Sequence, residues 1–280
     1  MSVNLSISPK EYNNFNKEID QLQVNTICNS ALCPNRPECF IKNRTITFLA
    51  MGNRCTRACK YCAVFRGQPE PLDVNEPIKI ANAVKKLQLK YVVITSVTRD
   101  DLIDGGAEHF SNIIKEIKKI NNAPIEALIP DFNFNIQSLN KIINANPNVI
   151  NHNLEACKKF FKIIRPIGDY NKSLELLKYI KKMAPNIITK SGFMVGVGED
   201  IEDIKNTLFD LKKNNVDIIT IGQYLPPRKG FYKKQKIYSE EEFAYMRNMA
   251  KDFKTTFIGT NVRSSYHAEE TALEVIKNGN

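Results

Sequence analysis

At 280 residues the chain suffices for one large domain with a full core or for two small ones, and its 42% hydrophobic and 25% charged residues are those of a globular protein. No run approaches the roughly 18 uninterrupted apolar residues of a membrane span, which excludes a helical membrane protein. The formal charge of +10 would suit an acidic protein or a nucleic acid as partner, but the chain is saturated with Lys, Asn and Ile, and that bias accounts for the excess equally well.

The N-terminus, MSVNLSISPKEYNNFNKEID, has neither an apolar signal core nor an Arg- and Ser-rich amphipathic pattern, so the expected residence is cytoplasmic. From residue 45, short β-branched runs alternate with helical patterns. Strands are expected at 45–51, 91–97, 125–130, 148–153, 186–195 and 216–222. Helices are expected at 77–88, 106–120, 135–145, 171–183, 200–213 and 239–253. The strand runs are apolar at nearly every position, the pattern of a parallel sheet buried on both faces. Six βα units in series predict an α/β fold, a partial (βα)6 barrel of the TIM type with N- and C-terminal extensions. The extensions are 1–44 and 254–280, and the barrel is 45–253. In such folds the loops after the strands' C-terminal ends build the active site.

Seven cysteines without a secretion signal argue for metal ligation or catalysis over disulfides. Six fall between positions 28 and 62. The seventh, Cys157, reads as a core or helix-surface thiol. In GNRCTRACKYC the spacing is Cys55-x3-Cys59-x2-Cys62, just past the first strand. Three thiolates on one tight loop can hold three irons of a 4Fe–4S cube and leave the fourth open. A zinc knuckle or a ferredoxin-like centre would want a fourth ligand nearby, and the next His is His109. The other triplet, Cys28-x4-Cys33-x5-Cys39, is also open. It suits a second cluster, or zinc completed by another ligand.

The Cys55 triplet, with Tyr61 before its last Cys and a strand before its loop, resembles the signature of the radical S-adenosylmethionine superfamily. Near the C-terminus stands NVRSSYHAEE. With the blocks CPNRPECF, TFLAMGNRCTRACKYCAV, TSVTRDDLIDGGAEHF, NHNLE, SGFMVGVGE and QYLPP in the same order, the chain is similar to the lipoyl synthase family from about Cys28 to Ala268. The resemblance implies two 4Fe–4S clusters and S-adenosylmethionine. Cys55, Cys59 and Cys62 would hold the radical-generating cluster, and Cys28, Cys33 and Cys39 an auxiliary one with Ser265 as fourth ligand. It implies sulfur insertion at C6 and C8 of a protein-bound octanoyl-lysine, with the auxiliary cluster as sulfur donor.

The same resemblance lays Tyr61 along the adenine and brings Ser96, Thr98, Arg99 and Asp100 to the methionine end. It makes Asn153 and Glu155 a ribose-facing pair, with Arg165 or Lys190 facing a carboxylate. Read by themselves, Asp100 is equally an Asx-type cap and Lys190 a solvated strand end, while His152 and His267 are structural histidines. Implied partners are octanoylated lipoyl carriers (E2 domains of 2-oxoacid dehydrogenases and the glycine cleavage H protein) and an electron donor such as ferredoxin or flavodoxin. No nucleic acid or membrane is expected, and the chain is expected as a monomer. The departures from the family pattern are Phe40 for a common Trp, GVGED for GLGET, the lead-in before the first triplet and the run RGQPEPLDVNEP, and none touches a cluster ligand. NHNLE also resembles biotin synthase, which lacks the first triplet and the RSSY segment. Methylthiotransferases carry an RNA-binding domain for which no residues remain, and a non-catalytic nucleic-acid binder would need a basic stripe that is absent here.

Overall fold

The computed structural model describes residues 8–31, 33, 35–42 and 45–278. Residues 1–7, part of the segment read for targeting, lie outside these. Ahead of the sheet come α1 (Pro9–Gln21), α2 (Ile27–Ser30) and a π-helical turn at Glu38–Lys42. Helix α1 was not expected, because its sequence is mostly polar. Its apolar residues Phe15 and Ile19 fall four apart and are buried, Phe15 lying 5.2 Å from the Phe40 ring.

Strand β1 (Thr47–Ala50) leads to a small parallel ribbon, β2 (Arg54–Cys55) with β3 (Phe65–Arg66). Then α3 (Glu76–Lys86), β4 (Val92–Ser96), α4 (Ala107–Ile120), β5 (Ile125–Leu128), α5 (Ile136–Ala145) and β6 (Val149–Asn151) follow in strict alternation. After β6 come two helices, α6 (Lys158–Ile164) and α7 (Tyr170–Met183). The series closes with β7 (Ile188–Val195), α8 (Ile201–Lys213), β8 (Ile218–Gln223), α9 (Glu240–Met249), β9 (Thr255–Gly259) and α10 (Ala268–Asn278).

The main sheet has seven strands in the order β1-β4-β5-β6-β7-β8-β9, all parallel. The expected partial barrel is thus present, and its six βα units are followed by one further strand. That strand comes from the segment read as a C-terminal extension. It lies along β8 from Ile218 to Gly222 and continues the sheet's parallel pattern.

The helices start and pack for local reasons. Asp200 with Asp203, and Ser239 with Glu242, form capping boxes at the starts of α8 and α9. On α4, Phe110, Ile113, Ile114 and Ile117 form one buried stripe, each side chain stabilising the packing by about 1.5–3 kcal/mol. Helix α10 buries Ala268, Ala272 and Val275 against Tyr91, Val93, Val149, Ile188 and Ile218. These sheet residues lie in the N-terminal halves of their strands or just ahead of them, so α10 plugs that end of the open barrel. The C-terminal ends are left for a cavity. Among the described residues no helix is long and apolar enough to cross a membrane.

Candidate active site

A cavity of about 570 Å³ lies at the C-terminal ends of the strands. All six clustered cysteines line it, together with Ser265. The sequence separates them by more than 200 residues, and the chain ends bring them together. Asn35 Nδ2 donates to the Asn261 carbonyl at 2.8 Å, and the Tyr266 hydroxyl donates to Glu38 at 3.0 Å. The turn carrying Ser265 crosses directly over β8. This is possible because residue 222 is glycine: a Cβ there would overlap the Val262 carbonyl. Ser264 is fixed by Asn151 Nδ2 at 2.8 Å and by Asn153 Oδ1 at 3.2 Å, which leaves Ser265 at the cavity wall.

The second triplet sits on a loop that the barrel holds from several sides. The loop leaves β1 through Met51 and Gly52, both at positive φ (67° and 89°). Glu76 accepts the Met51 N–H at 2.9 Å and contacts His109 Nε2 at 2.6 Å, which stabilises this left-handed exit. Cys55 Sγ accepts the N–H groups of Arg57 and Thr98, each at 3.4 Å. Thr56 N–H donates to the Thr98 carbonyl, and Lys60 N–H to the Ile164 carbonyl.

Beneath the loop, Arg57 is buried and its guanidinium is fully engaged. It donates to Asp100 at 2.7 and 2.8 Å, to Asp131 at 2.6 and 2.8 Å, and to Asn133 at 2.7 Å. Burial would raise the Asp131 carboxyl, but the hydrogen bonds and charge of Arg57 outweigh it and hold the group below the usual carboxylate range. Asp131 precedes three consecutive non-glycine residues at positive φ: Phe132 (47°), Asn133 (52°) and Phe134 (58°). Each costs on the order of 1 kcal/mol, so the turn persists only because its surroundings fix it. Sequence reasoning missed Arg57, Asp131 and Asn133. The signal for Arg57 was its place inside the cysteine motif; the turn gave none, having no glycine.

Of the other expected residues, Tyr61, Ser96, Thr98, Asn153, Glu155 and Arg165 line the cavity. Glu155 adopts φ 71°, and its side chain meets Asn153 and Tyr61. Burial raises its carboxyl above the ordinary value against the opposing charge of Arg165. Arg165 donates to the Asn153 carbonyl at 2.7 Å. Ser96 Oγ is buried and has no hydrogen-bond partner.

Arg99, Asp100 and Lys190 are not brought to this lining. Arg99 pairs with its neighbour Asp101 at 2.8 Å, and Asp100 serves Arg57. Lys190 is no solvated strand end. It is buried inside the barrel with both Glu126 oxygens at 3.0 Å, and Tyr91 and Asn151 complete that carboxylate's shell. His152 is structural, its ring between the Ile129 carbonyl and Ser173, while His267 meets Glu270 at 2.7 Å. Cys157 is buried in the core. A further missed residue is Glu199, whose carboxylate accepts the N–H groups of Gly196, Val197 and Gly198. The glycine run before a carboxylate in GVGE was its signal.

The radical SAM superfamily model matches residues 49–211. A lipoyl synthase of Buchnera aphidicola subsp. Baizongia pistaciae is 45% identical over 273 residues, spanning 96% of this chain and 87% of that protein. One from Caldicellulosiruptor saccharolyticus is 47% identical over 258 residues, spanning 91% and 90%. The chain belongs to the lipoyl synthase family. It is therefore a radical S-adenosylmethionine enzyme, with 4Fe–4S clusters and S-adenosylmethionine as cofactors. Among solved structures, methylornithine synthase (PylB) matches with a TM-score of 0.59 at 14% identity, covering 90% of this chain and 76% of that one. Streptococcus suis SuiB bound to S-adenosylmethionine matches at 0.60 and 12%, covering 92% and 64%. At such identities the likeness is one of fold.

The residues present fit what a lipoyl synthase must carry. Burial pushes the thiols of Cys28 and Cys59 up to about 11 and those of Cys39 and Cys62 to about 12, with neighbouring cysteines adding to the rise. Buried and crowded in this way the thiols keep their protons, and a cationic group bound between them would favour the thiolate form. The unpartnered Ser96 hydroxyl belongs to the same wall and suits a polar ligand.

Proposed function

We propose that this chain converts a protein-bound octanoyl-lysine to lipoyl-lysine by inserting sulfur at C6 and C8. The observation that carries the reading is the convergence of two open cysteine triplets and Ser265 on one cavity. Cys55, Cys59 and Cys62 hold one 4Fe–4S cluster and leave an iron free for S-adenosylmethionine. Cys28, Cys33 and Cys39 hold the other, with Ser265 as the fourth ligand. When bound, these groups supply one-electron chemistry able to break an unactivated C–H bond, and a store of sulfide.

The chain's own residues bind, orient and exclude water. Glu155, with Asn153 and Tyr61 beside it, faces the nucleoside, and Ser96 and Thr98 face the methionine end. Arg165, anchored on the Asn153 carbonyl, offers a guanidinium to a carboxylate. Val97, Ile129, Phe193, Met194 and Leu225 form an apolar wall for the octanoyl chain. A serine alkoxide is a harder ligand for iron than a thiolate, so Ser265 would be the most readily released member of a set otherwise made of thiolates. The carrier is a lipoyl domain of a 2-oxoacid dehydrogenase E2 or a glycine cleavage H protein, and ferredoxin or flavodoxin supplies electrons.

Anaerobic reconstitution tests this. About eight irons per chain, four for each cube, and a dithiolane on an octanoylated carrier given S-adenosylmethionine and reductant are expected. Half that iron, or 5′-deoxyadenosine without sulfur transfer, would contradict it.

A further inference from the structure

Two segments meet at the mouth of the cavity. Residues 52–69 carry the cysteine loop and the β2–β3 ribbon, and residues 224–238 follow β8. Together they hold nine Lys or Arg and no Asp or Glu, in a chain with 30 acids to 40 bases. Arg57 is spent on its buried carboxylates, and Lys236 pairs with Glu242 at 2.6 Å. Arg54, Lys60, Arg66, Arg228, Lys229 and Lys233 are exposed, and among the described residues none of the six forms an ion pair.

This rim is built, not a loose tail. Tyr232 N–H donates to the Lys60 carbonyl at 3.3 Å and the Tyr232 hydroxyl to the Val197 carbonyl at 3.0 Å. The Tyr224 hydroxyl donates to the Tyr232 carbonyl at 2.8 Å. The Arg228 guanidinium stands 5.8 Å from the Phe65 ring and 5.4 Å from that of Phe231, bridging the two segments. Phe65 nevertheless remains 65% exposed. The rim is continuous with the cavity wall, since Val64, Leu225, Pro226 and Pro227 belong to the lining.

An exposed aromatic, an arginine over its face and two adjoining segments of unpaired positive charge have the composition of a protein-docking surface. A single-stranded nucleic acid would instead want a series of free aromatic faces, and both rings here share their cation. We infer that this rim docks an acidic carrier domain, holding it so that its acyl-lysine enters the cavity past Phe65 and Pro227. The inference rests on the reading of the substrate as a protein-held acyl-lysine. Rim charges of this kind act mainly on the rate of encounter and its dependence on salt.

The test is calorimetric titration of an acidic octanoylated lipoyl domain into the reconstituted holoenzyme at roughly 50 and 300 mM salt. Wild type is compared with Arg228→Glu/Lys229→Glu and with Lys233→Glu, and turnover of an octanoyl-lysyl tripeptide runs in parallel. The double reversal is expected to weaken carrier binding about tenfold or more at low salt and to reduce the salt dependence, while tripeptide turnover stays within about twofold. A carrier with two acids reversed to lysine should bind the double variant better than it binds wild type. Carrier affinity unchanged by the double reversal would overturn the inference, as would tighter binding of a single-stranded RNA oligonucleotide at equal salt. Charge-dependent carrier binding without any lipoyl product would sustain the docking surface and sink the sulfur-insertion reading.

Discussion

The two cysteine triplets face the same cavity but are supported in opposite ways. Cys55, Cys59 and Cys62 ride on a loop pinned from below by the Arg57–Asp131 pair, from the side by Thr98 and Ile164, and at its root by Glu76. Every one of these supports belongs to the barrel. Cys28, Cys33 and Cys39 lie on short turns tied to the last part of the chain by Asn35 to Asn261 and Tyr266 to Glu38. The first support is buried and saturated; the second, which also meets β1 at Asn25 and Thr26, is half-exposed and includes the far end of the chain. A cluster that must shuttle electrons repeatedly benefits from the first kind of seat. One that served as the sulfur store of the proposed reaction would benefit from the second.

The largest effect that could break this comparison comes from removing one ligand on each side. Cys59→Ala should cost about four irons and abolish both 5′-deoxyadenosine and lipoyl formation. Cys39→Ala should also cost about four irons, yet keep S-adenosylmethionine cleavage while losing sulfur transfer. Loss of cleavage in both variants would erase the division of labour.

Next is the buried pair. Arg57→Met leaves the buried Asp131 carboxylate only the more distant Arg165 as a cation, at 3.8 Å, and should lower stability in urea by about 3 kcal/mol. A drop below about 1 kcal/mol would show that the barrel does not clamp the loop through this residue.

The pH dependence should come third. Burial, then the Arg165 charge, holds His152 down at about 4. The unfolded chain takes up that proton near pH 6.5. The contribution is therefore full above about pH 6.5 and is lost as pH falls toward 4, where the unfolded state binds more protons. His152→Gln should flatten the stability profile of the cluster-free protein over that window. An unchanged slope would contradict the assignment.

The smallest change is expected at the tie between the chain ends. Tyr266→Phe removes one half-buried hydrogen bond to Glu38, worth about 1 kcal/mol. It should quicken iron loss from the auxiliary site only, read as the decay of one cluster's absorbance after chelator is added. Equal decay of both clusters would dissolve the contrast.

Much of this architecture was legible in the sequence, for physical reasons. The β-branched runs of the first six main-sheet strands are buried on both faces, so burial wrote them as continuous apolar stretches. TTFIG was overlooked because it is only partly buried, with Thr256, Phe257 and Gly259 half-exposed, so no continuous apolar stretch marks it. In α1 the apolar residues are too few to stand out from the Asn and Lys around them. At the site, six cysteines and the RSSY turn announced themselves by residue type. The Arg57 network did not, because its geometry depends on a left-handed turn at Phe132–Phe134 that side-chain identity does not encode. Lys190 misled for a related reason: its partner Glu126 is 64 residues away and two strands across, and only the closed side of the barrel brings them together.

The central claim is that Cys28, Cys33, Cys39 and Ser265 seat the sulfur that ends in the product. It is tested most directly by reconstituting the enzyme with sulfide-34, removing free sulfide, and allowing a single turnover on an octanoylated carrier. The mass of the lipoyl group is then read. Both inserted sulfurs should carry the heavy isotope. A product of natural sulfur mass would mean that the sulfur comes from elsewhere, and the first triplet would need another role.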